Sequence, residues 1–101
     1  MEAKIDEHCL KRHSRGGDED ALASWAHLTV LARETERDGD VRLAEEFLRS
    51  ALWIADEFLS AEAAVEALVE YSGNLIRQKR VDEANAAFVR ALKLFEENTN
   101  N

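Results

Sequence analysis

Two histidines and a cysteine lie close together near the start of the sequence, and these residue types are common protein ligands of zinc. His13 follows His8 at a distance of five residues, with Cys9 between them. On a helix, five residues turn by about 500°, so the two histidines point to different sides, whereas helical ligand pairs are three or four residues apart. We therefore predict no metal site, and we assign residues 1–15 to a short amphipathic lead helix.

His27 and neighbouring glutamates such as Glu45 and Glu46 are the other residues that can carry proton-transfer chemistry. The sequence places no catalytic partner at a suitable spacing from His27, which we expect on the surface. Adjacent acids on a helix point in different directions, so the glutamates are typical of a solvated face. Phosphate-binding glycine loops, nucleophile elbows and His-Glu-x-x-His motifs are missing from the sequence. We predict no catalytic residue, no cofactor and no enzyme activity.

The elements that carry these residues are predicted to be helices. The chain has 101 residues, of which 46% are hydrophobic and 34% charged, with no proline and four glycines. Few residues therefore interrupt a helix, and the mixed charges suit the wet faces of amphipathic helices. A chain of this length buries one hydrophobic core, so we expect a single all-α domain over residues 1–101.

The sequence resembles itself when it is shifted by 40 residues. The matching positions are mostly small or apolar and run through two consecutive segments. They are Ala21 with Ala61, Ala23 with Ala63, Leu28 with Leu68, Arg37 with Arg77, Val41 with Val81, Ala44 with Ala84, Ala51 with Ala91 and Leu52 with Leu92. A repeat of this length predicts one supersecondary unit that is present twice.

Each repeat is predicted to be an antiparallel helix-turn-helix hairpin, with repeat 1 at residues 19–59 and repeat 2 at residues 60–97. Apolar residues recur at intervals of three and four within each segment. The predicted helices span residues 19–37, 41–59, 61–79 and 82–97. The second helix is apolar over more than half its surface, which indicates that it is sandwiched between neighbours on two sides.

The turns differ in their residues. In the first turn, Gly39 is suited to the left-handed conformation and Asp40 to capping the helix that follows. The corresponding residues 79–81 include no glycine, so the second turn is less well specified. Ser60 is a candidate cap between the repeats.

These spacings resemble the tetratricopeptide repeat. The residues that carry the resemblance are Leu28, Leu31, Ala32, Thr35, Ala44, Leu48 and Ala51, then Leu68, Tyr71, Ser72, Leu75, Ala84, Phe88 and Ala91. The resemblance implies two stacked hairpins in which Ala44, Ala51, Ala84 and Ala91 are buried where paired helices cross. The sequence departs from the standard pattern of about 34 residues in its longer period and its lack of a terminal proline, and is similar to the extended repeats of kinesin light chains.

The resemblance also implies where a peptide binds, because the first helix of each tetratricopeptide hairpin lines a concave groove. The matching positions are Thr29, Arg33, Arg37, Gly73, Ile76 and Arg77. Arginines that share a face bind carboxylates through paired hydrogen bonds, which suits an acidic segment or the C-terminal carboxylate of a polypeptide. The alternative is structural, since Arg37 and Arg77 lie near helix C-termini, and Arg33 can pair with Glu36 or Arg37 with Glu34.

The last predicted helix carries an apolar face that no later predicted helix covers. Its candidate interface residues are Phe88, Val89, Leu92 and Phe95. Repeat hairpins bury their faces by stacking, so an uncovered face predicts association. We expect a protein-protein interaction module, an adaptor or regulator that binds a protein or peptide through the groove or this face. The alternative is an assembly protein that forms a homodimer through its last helix.

Charge and composition limit the partners. The net charge of -8 disfavours nucleic acid, whose affinity for proteins depends on basic residues. The single cysteine, Cys9, rules out an intramolecular disulfide, and the first residues lack the apolar run of a signal peptide. The longest run without Asp, Glu, Lys or Arg, residues 21–32, is shorter than the roughly 20 residues of a membrane span. We predict a cytoplasmic protein that binds neither nucleic acid nor membrane.

Overall fold

The computed structural model describes residues 18–100 as four α-helices and no strand. They are α1 (Asp18–Arg37), α2 (Val41–Phe58), α3 (Ala61–Arg77) and α4 (Val81–Asn100). Helix α1 packs on α2, and α3 packs on α4, which confirms the all-α arrangement of two hairpins. Helix α3 also packs on α2, so the hairpins stack side by side. The predicted lead helix, with His8, Cys9 and His13, lies outside the described residues.

Side chains cap two of the helices at the residues that the sequence indicates. The Asp40 carboxylate accepts a hydrogen bond from the backbone N–H of Leu43 at the start of α2. The Ser60 hydroxyl accepts one from the N–H of Ala63 at the start of α3. Each cap satisfies an N–H that has no partner within its own helix. Both predicted caps are therefore confirmed.

The two hairpin turns have the same backbone geometry, offset by 40 residues. Gly39 has a φ of 95°, and Lys79 at the corresponding position has a φ of 67°. The N–H of Asp40 donates to the Thr35 carbonyl, and the N–H of Arg80 donates to the Leu75 carbonyl. The left-handed residue lets the backbone reverse while the last carbonyls of the helix are still satisfied. The second hairpin thus closes without glycine, at a lysine.

Small residues lie where the paired helices cross. Ala44 and Ala51 of α2 are fully buried, and Ala84 and Ala91 of α4 are almost so, which confirms their predicted burial. Large side chains fill the remaining space, and the largest fully buried ones are Leu48, Leu68, Leu75 and Asn74. Three of these four are leucines, but the fourth is an amide, which needs hydrogen-bond partners inside the core.

Candidate protein-interaction surfaces

Two of the predicted groove arginines form ion pairs that join α1 to α3. Arg33 donates to the Glu70 carboxylate at 2.8 Å, which contributes to raising the pKa of the Arg33 guanidinium. Arg77 donates to the Glu36 carboxylate at 2.6 Å. Both arginines therefore bridge the two hairpins. Arg33 forms an ion pair, as the structural alternative predicted, but its partner is Glu70 on the other hairpin and not Glu36 on its own helix.

The other predicted groove residues are divided between the core and the surface. Thr29 is buried, and its hydroxyl donates to the carbonyl of Ala26 one turn earlier, so it offers little surface to a ligand. Arg37 is exposed at the end of α1. Ile76 is also exposed, on α3. Of the five predicted groove side chains, Arg37 and Ile76 are therefore exposed and form no ion pair with a described residue.

A set of hydrogen-bonded polar residues fills the space between the two turns. We call Glu36, Glu45, Asn74, Gln78 and Arg80 the polar cluster. The buried Asn74 amide donates to the Glu36 carboxylate at 2.6 Å and to the backbone carbonyl of Val41 at 3.0 Å. Its oxygen accepts from the Gln78 amide at 2.7 Å. Asn74 on α3 thereby binds both helices of the first hairpin at once.

Glu45 continues the polar cluster and corrects one prediction from the sequence. Its side chain is buried and accepts hydrogen bonds from Gln78 at 3.0 Å and from Arg80 at 2.8 Å. Burial alone would raise the pKa of Glu45, but these hydrogen bonds and the Arg80 charge lower it below its ordinary value. The predicted solvated face holds for Glu46, which is exposed, and is wrong for Glu45.

The polar cluster was not predicted, although part of its signal is present in the sequence. Asn74 falls on the apolar side of α3, one residue before the buried Leu75. A polar residue inside an apolar stripe indicates a buried hydrogen-bonding role when partners are available. Its main partners, Glu36 and Val41, are 38 and 33 residues away in the sequence. Their approach depends on how the hairpins stack, which local spacing does not specify.

The outer side of α4 presents an exposed apolar stripe. Phe88 is 47% exposed, Leu92 47% and Phe95 55%, and Val81 and Val89 are exposed nearby. The positions 81, 85, 88, 92, 95 and 99 are separated alternately by four and three residues, the spacing of a seam that packs against another helix. Leu94 lies off this stripe and packs into the core. All four predicted interface residues are therefore exposed.

The same positions on α2 are covered by α3. A shift of 40 residues relates Phe88 to Leu48 and Phe95 to Ala55, and the α2 residues are each only 1% exposed. Ala55 lies in one buried cluster with residues of α3, and Tyr71 of α3 packs against the cluster that contains Leu48. The stripe on α4 is thus the place where a further helix would stack if the repeat continued.

Helix α3 extends this surface. Arg33 and Glu36, the α1 residues that bind α3, correspond to Gly73 and Ile76 in the second repeat. Ile76 is 57% exposed, and Val69 on the same helix is also exposed. Charged residues that bridge the hairpins are therefore replaced by uncharged ones at the corresponding positions of α3. We call Val69, Ile76, Phe88, Leu92 and Phe95 the open face.

A shallow groove with acidic walls lies at one end of the open face. It has a volume of about 350 Å³ and lies between the start of α3 and the end of α4. Val65 and Phe95 line it together with the carboxylates of Glu62 and Glu66. A lining of apolar and acidic side chains suits an apolar side chain with a basic group beside it.

Other kinds of site have little support in the described part of the protein. Within residues 18–100, no group of three or more histidine, cysteine or acidic side chains is arranged to hold a metal ion. None of the four helices is long and apolar enough to cross a membrane. His27 is exposed on α1, as expected. Large exposed apolar side chains are more numerous on α3 and α4, which carry seven, than on α1 and α2, which carry five.

Comparison of the sequence with models of protein families, with curated proteins and with solved structures finds no match. The likeness to tetratricopeptide repeats therefore remains a prediction. What the described helices establish is a pair of stacked hairpins with one apolar end.

Proposed function

We propose that this protein is a protein-protein interaction module, an adaptor or regulator, whose open face binds a helix of another polypeptide. One observation carries the proposal. Residues on α4 that correspond to the buried Leu48 and Ala55 are about half exposed, and they are large and aromatic. Large apolar side chains that are exposed side by side along one helix face of a folded domain are a candidate binding surface.

The chemistry of the open face favours a helical partner. Its seam spacing matches the way in which one amphipathic helix packs on another. The corresponding surface of the first hairpin is occupied by a helix, α3, which sets a precedent within the same molecule. The arginine groove is the weaker site, because Arg33 and Arg77 are already bound to carboxylates. A tetratricopeptide-like module in the cytoplasm is consistent with this proposal.

Differential capture by variants tests the proposed function. Wild-type protein, Leu92→Glu and Val30→Glu would be immobilised and exposed to the same cell extract. Leu92 and Val30 are 47% and 45% exposed, but Val30 lies on α1, at the other end of the stack. We expect proteins that bind wild type and Val30→Glu but are lost with Leu92→Glu, and direct titration of the purified partner should reproduce the loss. Identical capture by all three, together with a wild-type protein that is monomeric in solution, would reject the open face as the binding site.

An assembly role is the second candidate, and the contrast between the two ends of the described stack favours it. Of these two ends, the one formed by α4 exposes five large apolar side chains and the one formed by α1 exposes two, and the more apolar end is covered most simply by the same end of another copy. The groove arginines help to separate the candidates. An Arg33→Glu, Arg37→Glu variant should abolish binding of a groove ligand and leave assembly through α4 unchanged.

A further inference from the structure

We infer that the occupant of the open face is the open face of a second copy of this protein, with the two α4 helices antiparallel across a two-fold axis. The inference rests on the proposed function and names its partner. It follows from two independent properties of the described helices. One is the polarity of the opposite end of the stack, and the other is the distribution of charge along the open face.

The opposite end of the stack is unsuited to covering α4. Residues of α3 and of the turn after it that contact α2 include Ala64, Tyr71, Asn74 and Gln78. Their counterparts on α1 and in the turn after it are, in the same order, Ser24, Leu31, Glu34 and Asp38. If copies of the protein stacked head to tail, α1 of one copy would pack on α4 of the next. The carboxylates of Glu34 and Asp38 would then lie against the apolar stripe.

Those carboxylates would lose water without gaining a cationic partner. Inside the molecule, the polar residues of α3 are bound by Glu36 and Glu45 of the first hairpin. The corresponding residues of the second hairpin are Ile76 and Asn85, which carry no charge. Desolvating an unpaired carboxylate is strongly unfavourable, so an open series of stacked copies is disfavoured relative to a closed pair.

Charge along the open face favours an antiparallel pair. The end formed by the start of α3 and the end of α4 carries four exposed carboxylates, Glu62, Glu66, Glu96 and Glu97. At the opposite end, Arg77 is paired with Glu36, and Arg80 with Glu45 and Glu83, so the exposed Lys79 is the base that faces outward there, beside Asp82. An antiparallel arrangement brings the acidic end of one copy to Lys79 of the other and keeps the two acidic ends apart. A parallel arrangement would place the acidic ends together.

The mass in solution tests the inference directly. Size exclusion with light scattering over a concentration series should give twice the monomer mass for wild type and for Val30→Glu, and the monomer mass for Leu92→Glu. The dimer dissociation constant of Leu92→Glu should rise on the order of 100-fold or more, because a buried charge enters the interface twice. Circular dichroism should show unchanged helix content, since Leu92 is exposed in the single copy.

Charge reversal tests the orientation. Glu62→Lys and Lys79→Glu should each weaken the dimer at low salt, and the double variant should recover most of the loss. Glu57→Lys, at an exposed position on α2, makes the same change of net charge as Glu62→Lys and should have little effect. If the losses of dimer affinity from the two single substitutions simply add in the double variant, the antiparallel arrangement is overturned.

The outcomes separate this inference from the proposed function. If the wild-type protein stays monomeric at all concentrations, self-pairing is overturned. It is also overturned if Val30→Glu loses the dimer while Leu92→Glu retains it. The proposed function then depends on differential capture alone. If capture also fails to distinguish Leu92→Glu from Val30→Glu, the proposed function fails as well.

Discussion

Asn74 is the residue that ties the two hairpins together at the level of single side chains. It is fully buried, and its amide binds a carboxylate of α1, a backbone carbonyl of α2 and the side chain of Gln78. Apolar packing between helices tolerates small shifts, whereas three directed hydrogen bonds require one register. Asn74 therefore specifies how the second hairpin sits on the first, in addition to any stability that it contributes.

Replacing Asn74 by alanine should destabilise the protein by about 2–3 kcal/mol, because Glu36 and the Val41 carbonyl would lose a buried donor. Chemical denaturation measures the loss. Asn85→Ala is a matched control at protein concentrations low enough to keep the protein monomeric, since Asn85 is then exposed on α4, and we expect it to change the free energy of unfolding by less than about 0.5 kcal/mol. Equal effects of the two substitutions would show that the buried hydrogen bonds contribute no net stability.

Protonation of Glu45 should lower the stability of the protein in acid. Its pKa is lowered in the folded state, so the unfolded state binds a proton more readily than the folded one. Stability is then fully present above the unfolded pKa and is lost as the pH falls through the folded value, from about 5 downwards. Glu45→Gln should melt at a lower temperature than wild type at neutral pH and should lose less on acidification.

Glu46→Gln is the control for Glu45→Gln, because it removes the same charge from the adjacent exposed position. Melting temperatures from about pH 7 to about pH 3 would be compared for the three proteins. A Glu45→Gln curve that falls in parallel with wild type would contradict the assignment. In that case, other carboxylates would be responsible for the acid sensitivity.

Single residues show both what the sequence could predict and where it failed. Ala44 and Ala84 are predictable spacers, because a small residue in an apolar stripe has few other roles. Glu45 was wrongly placed in solvent, since its burial depends on Arg80, 35 residues later. A charged residue is buried only when another element brings a partner, and that partner is not visible in the local pattern.

At the scale of elements, the two turns solve the same problem with different residues. Lys79 takes a left-handed φ of 67° where Gly39 takes 95°. For a residue with a Cβ atom this conformation is unfavourable by about 1–2 kcal/mol, whereas glycine adopts it freely but loses more entropy on folding. The second hairpin therefore contains local strain that the packing of α3 on α4 must overcome.

Lys79→Gly should stabilise the protein by about 0.5–1 kcal/mol, which is the relieved strain less the extra entropy of glycine. Thermal melting measures the gain. The reciprocal change, Gly39→Ala, should destabilise the protein by a similar amount, and for backbone reasons alone, because an added Cβ there meets no atom within 4 Å. If both substitutions lower the melting temperature, the left-handed conformation is not what limits the second turn.

Ala84→Leu should destabilise the protein by about 1–3 kcal/mol, because three added carbons have no space where α4 crosses α3. Ala86→Leu adds the same group at an exposed position of the same helix and serves as the control. Denaturant titration of both variants separates overpacking from helix propensity. Little difference between them would count against close crossing at Ala84.

Helix boundaries followed the sequence where side chains define them. The starts of α2 and α3 were predicted because Asp40 and Ser60 cap them. Helix α4 begins at Val81, one residue earlier than predicted, and continues to Asn100 beyond the predicted end at residue 97. Neither glycine nor proline marks its end, so the residue pattern contained no stop signal.

At the scale of the whole molecule, the described helices form a short linear stack. The inner helices α2 and α3 pack on neighbours at both sides, whereas α1 and α4 are terminal. In such stacks, stability is approximately the sum of terms for each unit and each interface. The terminal helices should therefore open more readily than the inner ones. When another copy covers α4, its opening should become less frequent, whereas the opening of α1 should not change.

Amide hydrogen exchange at two protein concentrations tests this arrangement. At low concentration, the amides of α2 and α3 should exchange most slowly, because each of these helices is held by two interfaces. Raising the concentration should slow exchange in α4 around Leu92 while α1 is unchanged, and the Leu92→Glu variant should lose that response. Uniform exchange across all four helices would mean that the stack opens only as one unit. Slowing in α1 instead would mean that the polar end takes part in association, which would contradict the asymmetry of the stack.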